Sequence, residues 1–122
     1  MHKGVILLVE DDTIVAEIAK WRLENLGYAV CGCAASGTEA IDLARKHVPS
    51  LVLMDINLKG DMDGIETAKE IKNSLGTPII YLTSHSDGDT IERARETNPN
   101  GFIVKPFEDE DLRVAIELVL KP

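Results

Sequence analysis

Four apolar runs in this sequence each lead into a residue suited to handling phosphate. Residues 5–9 run into Glu10, Asp11 and Asp12, and residues 51–54 run into Asp55. Residues 79–82 run into Thr83, and residues 102–104 run into Lys105. An aspartate carboxylate can attack phosphorus and become an acyl phosphate. Such transfer depends on positioning and charge neutralisation more than on covalent help from the protein. Asp55, behind four apolar residues, is the candidate nucleophile. Lys105 is the strand-end amine able to balance a phosphoryl oxygen, and Thr83 offers a hydroxyl donor to another. Lys105 precedes Pro106, and an X–Pro bond is cis at modest cost, which would aim the lysine back at the site.

The acids need a partner of their own. Carboxylates massed at one point raise one another's pKa unless a cation relieves them. Magnesium, or manganese in its place, suits a site with few protein carboxylates, because it keeps several waters and accepts phosphate oxygens. A plainer role is also open to these acids, since negative charge is favourable at a helix N-terminus. That accounts for Asp12 but not for Asp55.

For these groups to converge, the runs must be parallel strands with their carboxyl ends at one edge, where open α/β sheets bind ligands. The pattern predicts strands at 4–10, 29–34, 51–55, 78–83 and 101–105. Helices are predicted at 13–26, 37–47, 64–75, 88–97 and 109–120. Strands one, three, four and five are continuous apolar runs, as expected with helices on both faces of a parallel sheet. The second is interrupted by Gly32 and reads as an edge strand. In a regular strand Cys31 and Cys33 would share a face, as buried thiols without a disulfide or zinc role.

Ser36 and Glu39 have capping-box spacing, and Gly27 and Gly76 stand where a left-handed C-cap is wanted. Val15, Ala19, Leu23 and Leu26 mark one buried helix face. Ile65, Ala68 and Ile71 mark a second, and Leu112, Ile116 and Val119 a third. The fourth helix is poorer: around Ile91 and Ala94 lie Asp87, Asp89, Glu92, Arg93, Arg95 and Glu96. A helix with so little apolar face is weakly held and suits an interaction surface.

The 122 residues make one domain of ordinary size, with 44% apolar and 28% charged residues. The net charge of −8 argues against nucleic acid as a direct partner. No apolar run approaches the roughly 20 residues that span a bilayer, and no leader-like stretch is seen, so a cytoplasmic location without membrane contact is expected.

The strand-end motifs together resemble the receiver domain of two-component response regulators. They are residues 8–12, Asp55 with Asn57 and Asp63-Gly64, Thr83-Ser84, and residues 101–107, and the likeness covers essentially residues 1–122 as a single domain. It implies a (βα)5 doubly wound sheet in strand order 2-1-3-4-5, a flavodoxin-like three-layer sandwich. It further implies transfer of a phosphoryl group to Asp55 from the phosphohistidine of a sensor histidine kinase or phosphotransfer protein. The metal would sit on the Asp11 and Asp55 side chains and the Asn57 backbone carbonyl, with Glu10 assisting through water. Thr83 would move toward the phosphoryl group and Phe102 would follow it inward as an aromatic switch. The fourth helix, fifth strand and fifth helix would then change affinity for a downstream protein. The domain would catalyse only its own phosphorylation and dephosphorylation. Glu10 stands where many members carry a second Asp, and Lys59 replaces a frequent Pro in a loop one residue longer than usual.

Two other readings remain open at this level. One is a receiver-like protein-binding module that works without phosphorylation. The other is a magnesium-dependent phosphatase, disfavoured by Asn57 where such enzymes usually carry a second acid. A weak homodimer through the fourth and fifth helices is also left open.

Overall fold

The computed structural model describes residues 3–84 and 87–120. Strand and helix alternate five times: β1 (Val5–Val9), α1 (Thr13–Asn25), β2 (Ala29–Ala34), α2 (Gly37–His47), β3 (Leu51–Asp55), α3 (Gly64–Leu75), β4 (Ile79–Thr83), α4 (Gly88–Arg95), β5 (Gly101–Val104) and α5 (Asp109–Leu120). The sheet order is β2-β1-β3-β4-β5 and every pairing is parallel. No helix among the described residues is long and apolar enough to cross a membrane.

The apolar runs form β1, β3 and β4 because both of their faces are covered. Leu7, Val9, Val52, Met54, Ile79 and Tyr81 point to one side, against Ala40 and Ala44 of α2, Ile65, Ala68 and Ile71 of α3, and Ala94 of α4. Ile6, Leu8, Leu51, Leu53, Ile80 and Leu82 point to the other, against α1 and α5 through Ala16, Ala19, Leu23, Leu112 and Ile116. Three layers result, with the strand ends free to carry polar groups.

Some expectations change. β2 is the edge strand, but its two cysteines do not share a face. Val30 pairs with Ile6 and Gly32 with Leu7, so the register shifts and one extra residue enters β2. Such a bulge breaks strict alternation. Cys31 packs with the α2–α3 side and Cys33 with the α1–α5 side. Both are half-buried free thiols whose pKa is raised first by burial.

On α1, Ala19 and Leu23 are buried and Leu26 packs beside them as expected, but Ala16 takes the place of Val15, which is exposed together with Ile14, Ile18 and Trp21. At α2, Ser36 accepts from the Glu39 N–H at 3.2 Å, but Glu39 reaches back to the Ala35 N–H instead of completing a box with Ser36. The complete capping box is at α3, between Asp63 and Glu66, and Gly76 ends that helix with φ 69°. α4 stops at Arg95, two residues short of the expectation. Asn98 adopts φ 54° ahead of Pro99, which disfavours helix in the residue before it.

Candidate functional site

Parallel register sets the site. Val9 lies beside Met54, Asp55 beside Leu82, and Thr83 beside Val104. The next residues of the four strands therefore emerge at one edge of the sheet. Carboxylate oxygens of Glu10, Asp11 and Asp55 lie within 4.8 Å of one another. Asp55 and Glu10 are only 4% and 5% exposed. Lys105 Nζ lies 3.5 Å from both Asp55 Oδ1 and Glu10 Oε1, and the Lys105–Pro106 bond is cis. The Asn57 N–H donates to Asp55 Oδ1 at 3.0 Å, fixing the loop after β3 against the carboxylate.

The electrostatics follow from this crowding. Glu10 is raised from 4.5 to about 7, first by burial and then by the Asp55 charge, against the lowering effects of the Asp12 N–H and Lys105. The Asp12 N–H donates to Glu10 Oε2 at 3.1 Å. Asp12 itself caps α1, accepting from the N–H groups of Ile14 and Val15 at 3.0 and 3.1 Å. Its plain capping role is therefore correct, and the other three acids need another explanation. An all-oxygen donor set of converging carboxylates fits a hard divalent cation, whose charge would remove the penalty on Glu10.

Asp11, Asp55 and Lys105 thus come together as expected, with Glu10 among them. Thr83 ends β4 and is 1% exposed, but its hydroxyl donates to Asp87 Oδ2 at 3.0 Å. In the sequence Asp87 stands out only as one charge on the fourth helix. The signal for more was its position, ending the polar segment between a strand-end threonine and a helix. Phe102 is half-buried and stacked on Tyr81, with ring centroids 5.7 Å apart at 27°. The Tyr81 hydroxyl shares a 2.8 Å hydrogen bond with Thr97, just past α4.

A second feature was not anticipated. Ile14, Ile18 and Trp21 of α1 are 71%, 52% and 65% exposed on a helix that starts beside Asp11. Next to them, Val15, Ile18, Lys105, Pro106 and Phe107 line an apolar hollow reaching the site.

Comparison with known proteins agrees with this geometry. The family model for the response regulator receiver domain matches residues 6–117. The transcriptional regulatory protein PdtaR of Mycobacterium tuberculosis is 39% identical over 115 residues, spanning 94% of this chain and 56% of that protein. A probable C4-dicarboxylate response regulator, DctR of Priestia megaterium, is 32% identical over 92% of this chain and 50% of its own length. The chain thus spans about half the length of these curated relatives. The signal receiver domain of a modulated diguanylate cyclase from Desulfovibrio desulfuricans G20 superposes with a TM-score of 0.90 at 38% identity, covering 96% of this chain and 93% of that one. The receiver domain of NtrX from Brucella abortus gives 0.88 at 27% identity, over 95% and 98%. The strand order, the acid-lined edge and these matches agree: the chain belongs to the response regulator receiver domain family.

Proposed function

We propose that this domain accepts a phosphoryl group on Asp55 and uses it to switch a protein-binding surface. The observation that carries the proposal is the buried Asp55 carboxylate, paired with Lys105 at 3.5 Å and clustered with Glu10 and Asp11. A buried acid beside two others has a structural cost, and a phosphoacceptor role gives the arrangement a use.

In the proposed step an Asp55 carboxylate oxygen attacks the phosphorus of a phosphohistidine. The new P–O bond forms as the P–N bond breaks, and the electron pair leaves with the imidazole nitrogen. Lys105 balances charge on one phosphoryl oxygen, and Thr83 donates its hydroxyl to another. Attack of water on the phosphorus later returns phosphate and free Asp55. A magnesium or manganese ion, held by Asp11, Asp55 and the Asn57 carbonyl with Glu10 through a water, would supply positive charge against the remaining oxygen. The exposed apolar stripe of Ile14, Ile18 and Trp21 supports approach of a helical partner bearing the phosphohistidine, since such patches beside a site mark docking surfaces. The weak hold on α4 and the half-buried Phe102 support output through α4, β5 and α5 to a downstream protein, with a cytoplasmic setting proposed for both encounters.

The test is intact-mass and Phos-tag analysis with a small phosphodonor such as acetyl phosphate. Wild type should gain one phosphoryl group in a magnesium-dependent manner, and Asp55→Asn should gain none. Absence of label on wild type, or equal label on the variant, contradicts the proposal. A partner that binds wild type and Asp55→Asn equally well would favour a module that works unphosphorylated.

A further inference from the structure

Asp87 stands at the N-cap of α4, where an aspartate ordinarily accepts hydrogen bonds from the first helical N–H groups. Among the described residues, none of those groups donates to its side chain. The carboxylate turns back toward the strand ends. Oδ2 accepts from the Thr83 hydroxyl at 3.0 Å, the Ser84 N–H at 2.7 Å and the Ser84 hydroxyl at 2.9 Å. The Asn57 side-chain amide donates to Oδ1 and Oδ2 at 3.1 and 3.2 Å. Three donors on two residues, Thr83 and Ser84, and a fourth on Asn57 thus converge on one carboxylate. Asn57 meanwhile donates its backbone N–H to Asp55. One residue therefore links the candidate nucleophile to Asp87.

We infer that Asp87 is a positioning residue: it holds Thr83 and Asn57 in the unphosphorylated arrangement and must give up Thr83 when Asp55 is phosphorylated. This rests on the proposed role of Asp55. The Thr83 hydroxyl has one proton to donate, so it cannot serve Asp87 and a phosphoryl oxygen together. A phosphoryl group also brings a charge of about −1.5 to −2, which repels a fixed carboxylate across Asn57. The consequence reaches α4 because the Asp87 backbone carbonyl accepts from the Ile91 N–H at 2.8 Å. When the carboxylate shifts, the first turn of the helix shifts with it.

The test compares wild type with the isosteric Asp87→Asn and the truncated Asp87→Ala by two readouts. Without phosphodonor, amide hydrogen exchange at Ser84 and Ile91 should quicken by about tenfold in both variants, the factor expected from losing one charge-assisted hydrogen bond. With acetyl phosphate and magnesium, the initial labelling rate should rise at least about threefold, since Thr83 is released and the nearby charge is removed. A carboxylate that merely braces the loop would quicken exchange without raising the labelling rate. That result, unchanged exchange, or failure of both variants to fold overturns the inference. If wild type takes no label, the phosphoacceptor reading fails instead, and exchange alone decides whether Asp87 holds Thr83 and Asn57.

Discussion

α3 and α4 each follow a strand that ends at the site, and each opens on Asp-Gly: Asp63-Gly64 and Asp87-Gly88. From there they diverge. Asp63 caps its own helix, accepting from the Glu66 N–H at 2.8 Å, while Glu66 reaches back to the Asp63 N–H. Asp87 leaves its helix uncapped and binds the site. A Cβ added at Gly64 would lie 2.2 Å from the Asp55 carbonyl oxygen, so α3 is pressed against the strand end that bears the nucleophile. Among the described residues, no atom lies within 4 Å of the same position at Gly88. α3 buries Ile65, Thr67, Ala68 and Ile71, whereas Ala94 is the buried residue of the eight in α4. The same two-residue opening thus gives one helix packed against the Asp55 strand end and another, lightly packed, that is bonded to Thr83. The difference lies in what the aspartate is bonded to and how much apolar surface follows it.

The contrast can be broken first at the core. Ile71 is 1% exposed, and Ile71→Ala should cost about 3 to 4 kcal/mol in urea denaturation. Ile91→Ala on α4 should cost about 1 kcal/mol, because Ile91 is half-buried. Equal losses would show that α4 is as firmly seated as α3. Next come the glycines. Gly64→Ala should destabilise by about 2 to 3 kcal/mol through the clash with Asp55. Gly88→Ala should be neutral or stabilise by about 0.5 kcal/mol, as Ala is the better helix former. A midpoint shift at Gly88 as large as that at Gly64 would refute the asymmetry.

The acids at the sheet edge offer a sharper probe. Glu10 has a folded pKa of about 7 against an ordinary 4.5, so the folded protein holds the extra proton between those values. Metal-free stability should therefore fall as pH rises from about 4.5 to about 7, by on the order of 3 kcal/mol. Glu10→Gln should flatten that dependence in thermal melts, and magnesium should oppose it. Amide exchange in α4 should still outpace α3 in that variant, because the helices differ in packing and capping, not in the charge of Glu10. Loss of the lead would trace the mobility of α4 to acid repulsion. The smallest effect is at the caps. Asp63→Ala should cost about 1 kcal/mol of global stability through its lost cap, and Asp87→Ala about the same through its lost bonds to Thr83, Ser84 and Asn57.

Much of this was legible in the residues. Apolar run length separated strands from helices, and strand-end polarity located Glu10, Asp11, Asp55, Thr83 and Lys105, because parallel register brings carboxyl ends to one edge. The sequence pattern could not locate the bulge at Cys31-Gly32, since a register shift depends on the neighbouring strand. It also misjudged Val15, because the smaller Ala16 is the residue that meets the sheet at the first turn of α1 and leaves Val15 in solvent. Val48 ends α2 in a left-handed conformation with φ 44°, a place where the sequence has no glycine to announce it. Asp87 was hidden for a different reason. An aspartate before a helix reads as a cap, whereas this carboxylate faces backward to Thr83 and Ser84.

The most direct measurement is a structure of the protein with magnesium and beryllofluoride, a mimic of an aspartyl phosphate. Beryllium should lie on an Asp55 oxygen, with Lys105 on one fluoride and the metal held by Asp11, Asp55 and the Asn57 carbonyl. Thr83 should have turned from Asp87 to another fluoride, with Phe102 further inward against Tyr81. Beryllofluoride bound elsewhere, or bound at Asp55 with the Thr83–Asp87 hydrogen bond intact, would contradict this arrangement.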